Sequence, residues 1–341
     1  MASLKIVPRD SVSDNEWKSF VKDNEHGNIF QTPEMWSVYE NTKGYSPIFV
    51  GVSDSSGELV GVVLLVHQQE GMFPINLLTS RVVTWGGPLI NSDYTYKDEA
   101  MRLMLAEIDR KVDKPLFIQF RNMWDFSQAK NIFEKEGYSF EDHLAILLNL
   151  TQGKENLLRN MRRSKRKALN TAKNKGVTIE EVTKIEILQE YYKGLAHFYK
   201  TVVKKPLPDW SFFESLFKIL APLNMAKFFV VKHEDKIIGG STCVIYKKKI
   251  YEWYAYGDRR YKNLYPSEMA TWAPIEWGLD NKMEIFDFMG GGRPEEKYGV
   301  RDFKLGFGGK MFNFGRFTKI TGKLRYFLIE KGYQILTNKK L

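Results

Sequence analysis

The run Tyr298 to Lys310, Y-G-V-R-D-F-K-L-G-F-G-G-K, gathers residue types that suit chemistry better than they suit a core. Two fixed cations, Arg301 and Lys304, stand among glycines that let backbone approach a ligand and beside Phe303 and Phe307, which exclude water. A cation in a dry setting stabilises an oxygen that gains negative charge far better than the same cation in water. The plainer reading of these residues is a glycine-rich hairpin with solvated charges. The remainder of the chain tips the balance toward a site.

Other chemistries lack their residues. No Ser-His-Asp order, nucleophile elbow, Walker loop or dinucleotide fingerprint is visible, so covalent catalysis and nucleotide hydrolysis have no support. Cys243, the only cysteine, lies in the strand-like run S-T-C-V-I-Y and reads as a buried structural thiol. The histidines are scattered without metal-ligand spacing, so neither a metal nor a bound cofactor is expected. Gly290-Gly291-Gly292-Arg293 is a weak phosphate candidate, because a proline and no helix follows it. Asp258-Arg259-Arg260 leads toward a helix expected to be capped by Ser267, and that N-terminus with Arg259 is a candidate anion site.

A net charge of +10 and a pI near 9.3 imply attraction to nucleic acid, anionic lipid or a phosphate-bearing substrate. The charge is concentrated in Lys154 to Lys175, with nine basic residues against one acidic. Helical spacing there predicts one junction helix with Leu157, Leu158, Met161, Ala168, Leu169 and Ala172 on one side. Arg159, Arg162, Arg163, Arg166 and Lys173 share the other, and Gly176 ends the helix. Like charges on one face repel unless an anion is present, which makes polyphosphate, tRNA and an anionic membrane candidate partners. Lys319 to Leu341 is a second basic amphipathic segment, with Leu324, Phe327, Leu328 and Leu336 as its apolar side. It suits packing on its own domain or peripheral membrane contact. The longest apolar runs fall short of the roughly 20 residues that cross a bilayer, and no secretory signal is visible, so a cytoplasmic protein without an integral membrane segment is expected.

The elements repeat. In the first half come a helix starting at Thr32-Pro33, a hairpin of Ser46 to Val52 and Leu59 to His67, a strand Arg81 to Trp85, a helix Tyr96 to Lys111 and a strand Pro115 to Phe120. In the second half come a helix Pro208 to Leu220, a hairpin of Lys227 to Val231 and Ile237 to Tyr246, a strand Lys249 to Tyr256, a helix Ser267 to Leu279 and a strand Met283 to Met289. Gly61 corresponds to Gly239, and Phe117 to Phe120 corresponds to Ile285 to Phe288. Such self-similarity marks a duplicated unit. The expectation is an α/β (α+β) fold with a domain over 1–150, a basic junction helix over 151–180, a second domain over 181–320 and a basic helix over 321–341. Each domain carries a mixed, mostly antiparallel sheet flanked by helices, and a ligand is expected where strand pairing opens.

Several runs together resemble the FemAB group of the GNAT acyltransferase superfamily. Asp287-Phe288-Met289-Gly290, then Tyr298, then Phe303-Lys304-Leu305-Gly306-Phe307-Gly308-Gly309 are similar to that group's D-F-x-G, tyrosine loop and F-K-x-x-F-G-G. Ile29 to Trp36 resembles its F-Q-x-P-E-W opening, Trp85-Gly86-Gly87-Pro88 its R-G-P turn with Gly86 in place of arginine, and Arg159 to Gly176 its arginine-rich segment. The long helical hairpin that many tRNA-using members insert in the second half is absent. The resemblance implies two GNAT-like domains and transfer of an acyl group to an amine. Fem enzymes take amino acids from aminoacyl-tRNA and attach them to peptidoglycan precursors, while CelD-like relatives use acyl thioesters, so the donor stays open between aminoacyl-tRNA and acyl-CoA.

Direct transfer needs a positive group where the tetrahedral oxyanion forms, and Lys304 is assigned to it. Asp287 or Glu252 would accept the amine's proton or else orient Lys304. Arg301 would hold a phosphate or carboxylate, Tyr298 would contact the acceptor, and Phe303 and Phe307 would dry the site. Arg259, Ser267, Arg162, Arg163 and Arg166 would bind anionic parts of the substrates, with Gln31, Trp36 and Trp85 as contacts in the first domain. The acceptor would be a UDP-linked or lipid-linked cell-envelope precursor. The rival reading is a non-catalytic RNA-, tRNA- or polyanion-binding protein built on the Arg159 to Lys175 segment.

Overall fold

The computed structural model describes residues 4–69, 80–322 and 326–327. The chain forms two compact units, Met1–Asp142 with Phe314–Leu341, and His143–Asn313. The expected boundary near residue 150 therefore lies at 142/143, and the chain returns to the first unit at Phe314. Tertiary pairing causes the return. Phe317 is fully buried and stacks on Phe133 at 4.1 Å, and Lys319 Nζ lies 2.5 Å from Asp109 and 2.7 Å from the Glu136 carbonyl. Most of the basic helix expected over 321–341, including Leu324, Leu328 and Leu336, lies outside the described residues. No helix among the described residues is long and apolar enough to cross a membrane.

In the first unit the strands are β1 (Lys5–Val7), β2 (Tyr45–Ser53), β3 (Leu59–Gln68), β4 (Arg81–Trp85), β5 (Leu89–Ile90), β6 (Phe117–Arg121) and β7 (Ser139–Glu141). They pair in the order β1-β2-β3-β4-β6, with β5 on β3; Arg316–Ile320 then sits between β6 and β7. Its helices among the described residues include α1 (Asp14–Asp23), α2 (Pro33–Glu40), α3 (Lys97–Lys111) and α4 (Lys130–Lys135). Thr32 caps α2 by accepting from Met35 N, with Pro33 in the first turn, as the T-P-E sequence predicts.

The second unit holds β8 (Leu144–Asn149), β9 (Thr178–Glu181), β10 (Ala226–His233), β11 (Lys236–Tyr246), β12 (Lys249–Gly257), β13 (Ile285–Asp287) and β14 (Lys310–Asn313), paired in the order β14-β8-β13-β12-β11-β10-β9. Arg316–Ile320 of the first unit is β15. Here the helices are α5 (Gly153–Asn160), α6 (Arg163–Asn174), α7 (Ile185–Phe198), α8 (Trp210–Ser215), α9 (Pro266–Asp280) and α10 (Gly299–Leu305). The single junction helix is thus two. Met161 and Arg162 turn extended, at ψ 140 and 138, and the Arg162 amide donates to Gly306 O instead of continuing the spiral. The helix expected over Pro208 to Leu220 likewise shortens to α8 and widens into a π-turn at Leu216–Leu220.

The duplication is visible in shared irregularities. Val52 faces Gly61 and Ser53 faces Leu59; Val231 faces Gly239 and Lys232 faces Ile237, so each hairpin carries its bulge at the matched glycine. In both units one strand pair is parallel, β4 with β6 and β12 with β13. The parallel pairs then part company. β4 and β6 stay paired to Trp85 and Arg121, and Gly86 N extends the ladder to Arg121 O. β12 pairs with β13 only over Lys249–Tyr251, after which the chain follows β8 through Phe288 N to Ile146 O and leaves β12 without that neighbour.

Candidate active site

The gap between β12 and β13 collects the charged groups. Glu252 is the first residue of β12 beyond the parallel pairing, and Asp287 ends β13. A bulge follows Glu252, since Cys243 faces Glu252 while Thr242 faces Tyr254, so Trp253 drops out of register. Lys304 reaches in from α10 and donates to Phe288 O at 2.5 Å and Gly290 O at 2.8 Å. Burial pushes the Lys304 ammonium below the ordinary lysine range, and the carboxylates of Glu252 and Asp287 oppose that shift.

The two carboxylates differ. Asp287 is held by Lys249 Nζ at 3.0 Å and by Met289 N at 2.9 Å, which suits a strut across the parallel pair. Glu252 is 6% exposed, receives a hydrogen bond from Thr271 of α9, and leaves Oε1 buried without a partner. Burial pushes its pKa up to about 7, with Lys304 and Thr271 opposing. A buried carboxylate with one idle oxygen near neutrality is poised to take a proton.

The two aromatic residues of the F-K-L-G-F run pack together. Phe307 is fully buried, 6.1 Å from Phe288 and 5.4 Å from Phe303. The run itself is a short helix, α10, and not a hairpin; Gly308, at φ 93, leads the chain out of it toward β14. Tyr298 precedes α10 with its ring against Gly292, where a Cβ would sit 2.8 Å from Tyr298 Cδ1.

Several expected anion contacts are engaged elsewhere. Arg301 donates to four backbone carbonyls, Gly291 at 2.9 Å, Arg293 at 2.6 Å, Pro294 at 3.1 Å and Glu296 at 2.6 Å. The Gly290 to Arg293 turn therefore aims carbonyl oxygens inward at a guanidinium, the opposite of a phosphate cradle. Arg166 closes the end of α5 on the carbonyls of Leu158, at 2.7 Å, and Met161. Arg159 and Lys173 pair with Glu155 and Glu276, so the repulsion expected on one helix face is relieved within the chain. Arg162 bonds Asp302 O at 3.2 Å yet stays exposed, as does Arg163.

The start of α9 departs from the expected anion site. Tyr265 at φ 54 occupies the cap, Pro266 offers no N–H, and Ser267 is second in the helix. A Cβ on Gly257 would lie 2.4 Å from Ser267 N, so the end of β12 rests directly on that amide. Two carboxylates flank the turn: Asp258, chelated by Arg260, and Glu268, bonded to Lys165 at 2.8 Å. Arg259 is exposed beside them.

In the first unit, Gln31 braces the sheet. It is fully buried; its Oε1 accepts from Leu64 N at 2.8 Å, and its Nε2 donates to Leu64 O, Thr84 Oγ1 and Trp85 O. β3 and β4 pair only to Val66 and Val83, and the Gln31 amide substitutes for the missing rungs beyond. Trp85 is 8% exposed, packed on Phe30 with the Arg121 guanidinium 4.9 Å from its ring. Trp36 is half-buried, 6.4 Å from Trp17.

Residues 156–304 match the family model described as an acetyltransferase (GNAT) domain, a span that opens in the basic segment and closes on Lys304. The fold is the GNAT acyltransferase fold. Among solved structures FemX matches at 16% identity with a TM-score of 0.70, covering 95% of this chain and 99% of its own. A tandem GNAT protein from the clavulanic acid biosynthesis pathway matches at 12% identity and 0.60, covering 94% of this chain and 99% of its own. L-PGS from Bacillus licheniformis matches at 14% and 0.57, covering 91% and 92%. No curated protein matches the sequence. Mixed sheets flanked by helices in both units accord with the tandem relatives.

Sequence reasoning missed Lys165. Its Nζ lies 3.4 Å from the Phe303 ring centroid and 2.8 Å from Glu268, with 12% of the side chain exposed. The signal was present: Lys165 stands at helical spacing within the apolar row of Met161, Ala168 and Ala172, where a solvated lysine has no place. Thr271 carried no such signal.

Proposed function

We propose that the protein is an aminoacyltransferase that moves an aminoacyl group from aminoacyl-tRNA to an amine of a UDP-linked or lipid-linked cell-envelope precursor, at the gap between β12 and β13. The observation that carries the reading is a fixed ammonium beside a buried carboxylate with an unpartnered oxygen. Two of the three Lys304 N–H groups are held by carbonyls, which leaves the third to donate to a substrate oxygen. The acceptor nitrogen attacks the ester carbonyl, and the oxyanion forms against Lys304. Glu252 takes the proton released from nitrogen as the C–N bond forms. The C–O bond then breaks and the proton passes to the departing ribose hydroxyl. The likeness in fold to FemX and to L-PGS supports that class.

The α9 start favours aminoacyl-tRNA over acyl-CoA. A CoA diphosphate there would meet Asp258 and Glu268 and find no N–H on Pro266. The exposed Arg162 and Arg163 suit a nucleic-acid backbone. The test is discharge of a charged tRNA pool by the purified protein with UDP-linked or lipid-linked precursor fractions, beside calorimetric titration with acetyl-CoA. Acceptor-dependent discharge and no saturable acetyl-CoA heat are expected. One-site acetyl-CoA binding would overturn the donor assignment. Salt-sensitive tRNA binding without any discharge would favour the non-catalytic reading.

The pH profile follows from Glu252. The base works only when ionised, so the transfer rate is expected to rise with pH to half its maximum at about 7. Glu252→Gln should lose the rate and the limb together, whereas a flat wild-type profile between about pH 5.5 and 8.5 would remove Glu252 from the role. Because burial raises the folded pKa, the stability this group contributes is complete below the unfolded value and is lost as pH climbs through about 7.

A further inference from the structure

The start of α6 and the catalytic run are joined at several points. Arg162 N donates to Gly306 O at 2.9 Å, and Arg162 Nη1 to Asp302 O at 3.2 Å. The stem of Lys165 lies along Gly306, where a Cβ would sit 3.1 Å from its Cε and Cγ; no other residue at 306 would leave that stem its path without a shift. The ammonium at the end of the stem covers the Phe303 ring at 3.4 Å, reaches toward Phe307 at 5.4 Å, and pairs with Glu268 of α9 at 2.8 Å. One side chain thus spans α6, α9 and α10. α10 is only seven residues long, so the placing of Lys304 depends on contacts with neighbouring elements, those of Arg162 and Lys165 among them. Largely buried, the Lys165–Glu268 pair and its aromatic contacts are less screened than a surface pair.

We propose that Lys165 is a positioning residue for Lys304: clamped to Glu268 and lying over Phe303, it holds α10 so that the Lys304 ammonium stays against Phe288 O and Gly290 O. The reading of Lys304 given above supplies the functional half of this inference; the mechanical half stands without it. Because Arg162 and Lys165 leave the same turn, a donor bound on the exposed arginines would bear on the helix that carries the reacting ammonium.

The test uses the full chain and the variants Lys165→Met, Lys165→Arg and the double change Lys165→Met with Glu268→Gln, the last removing the carboxylate that the single change strands. Hydrogen exchange is followed at the amides of Gly306, Phe307 and Gly308, which close the end of α10 on Asp302, Lys304 and Leu305. In Lys165→Met and in the double variant these amides are expected to exchange about tenfold faster, with α7 unchanged, while Lys165→Arg recovers most of the protection. Single-turnover transfer from charged tRNA should fall by about 10-fold or more in the same two variants with donor KM within about twofold of wild type, and recover in Lys165→Arg. Unchanged exchange at 306–308, equal acceleration in α7, or full protection and activity in the double variant would each overturn the proposal. If wild-type protein transfers nothing, the exchange result still decides whether Lys165 holds α10, and the failure belongs to the functional reading alone.

Discussion

Lys304→Met is expected to reduce transfer by about 10²- to 10³-fold, the cost of removing one fixed donor from a developing oxyanion, while leaving a folded protein. Methionine keeps the unbranched stem and removes only the ammonium. Two carbonyls, Phe288 O and Gly290 O, then lose their donor, which costs about 1–3 kcal/mol locally. A second consequence separates this role from a structural one. Lys304 holds the Glu252 pKa down against burial, so its removal should raise that pKa and shift the acid limb of any residual activity to higher pH. Single-turnover rates across the pH range, with circular dichroism as the folding check, measure both. An unfolded variant, or one with normal transfer, would end the assignment.

Gln31→Leu is expected to destabilise the first unit by about 2–5 kcal/mol, because an apolar side chain of similar size leaves Leu64 N buried without its acceptor and removes the bonds to Thr84 Oγ1 and Trp85 O. Leu64 O keeps the Thr84 hydroxyl and loses less. The deciding measurement is the denaturant midpoint beside acceptor affinity measured well below the transition. A variant as stable as wild type but with weakened acceptor binding would return Gln31 to the substrate site. The two parallel strand pairs differ. In the first unit the ladder runs on to Gly86 with Gln31 filling the neighbouring gap, while in the second the pair opens after Tyr251 and Lys304 enters.

Much was legible in the sequence because it is local or periodic. The T-P cap of α2, both hairpins with their matched glycines, the strands at Ile118 and Ile285, and the apolar row of Leu157, Met161 and Ala172 each follow from spacing along the chain. The F-K-L-G-F run announced itself by composition, and the tandem arrangement by repetition. Which charges are committed was not legible, because a guanidinium's partner depends on carbonyls that loops bring to it. Arg301 and Arg166 read the same as Arg163, yet two are bonded to backbone and one is exposed. The break at Met161–Arg162 required Gly306 as a partner from the far end of the second unit, and β15 required β6 and β7. Glu252 and Asp287 are both buried acids on neighbouring strands. Only the fold decides that Lys249 occupies one and leaves the other with an idle oxygen, since ion pairing and desolvation are set by neighbours distant in the chain.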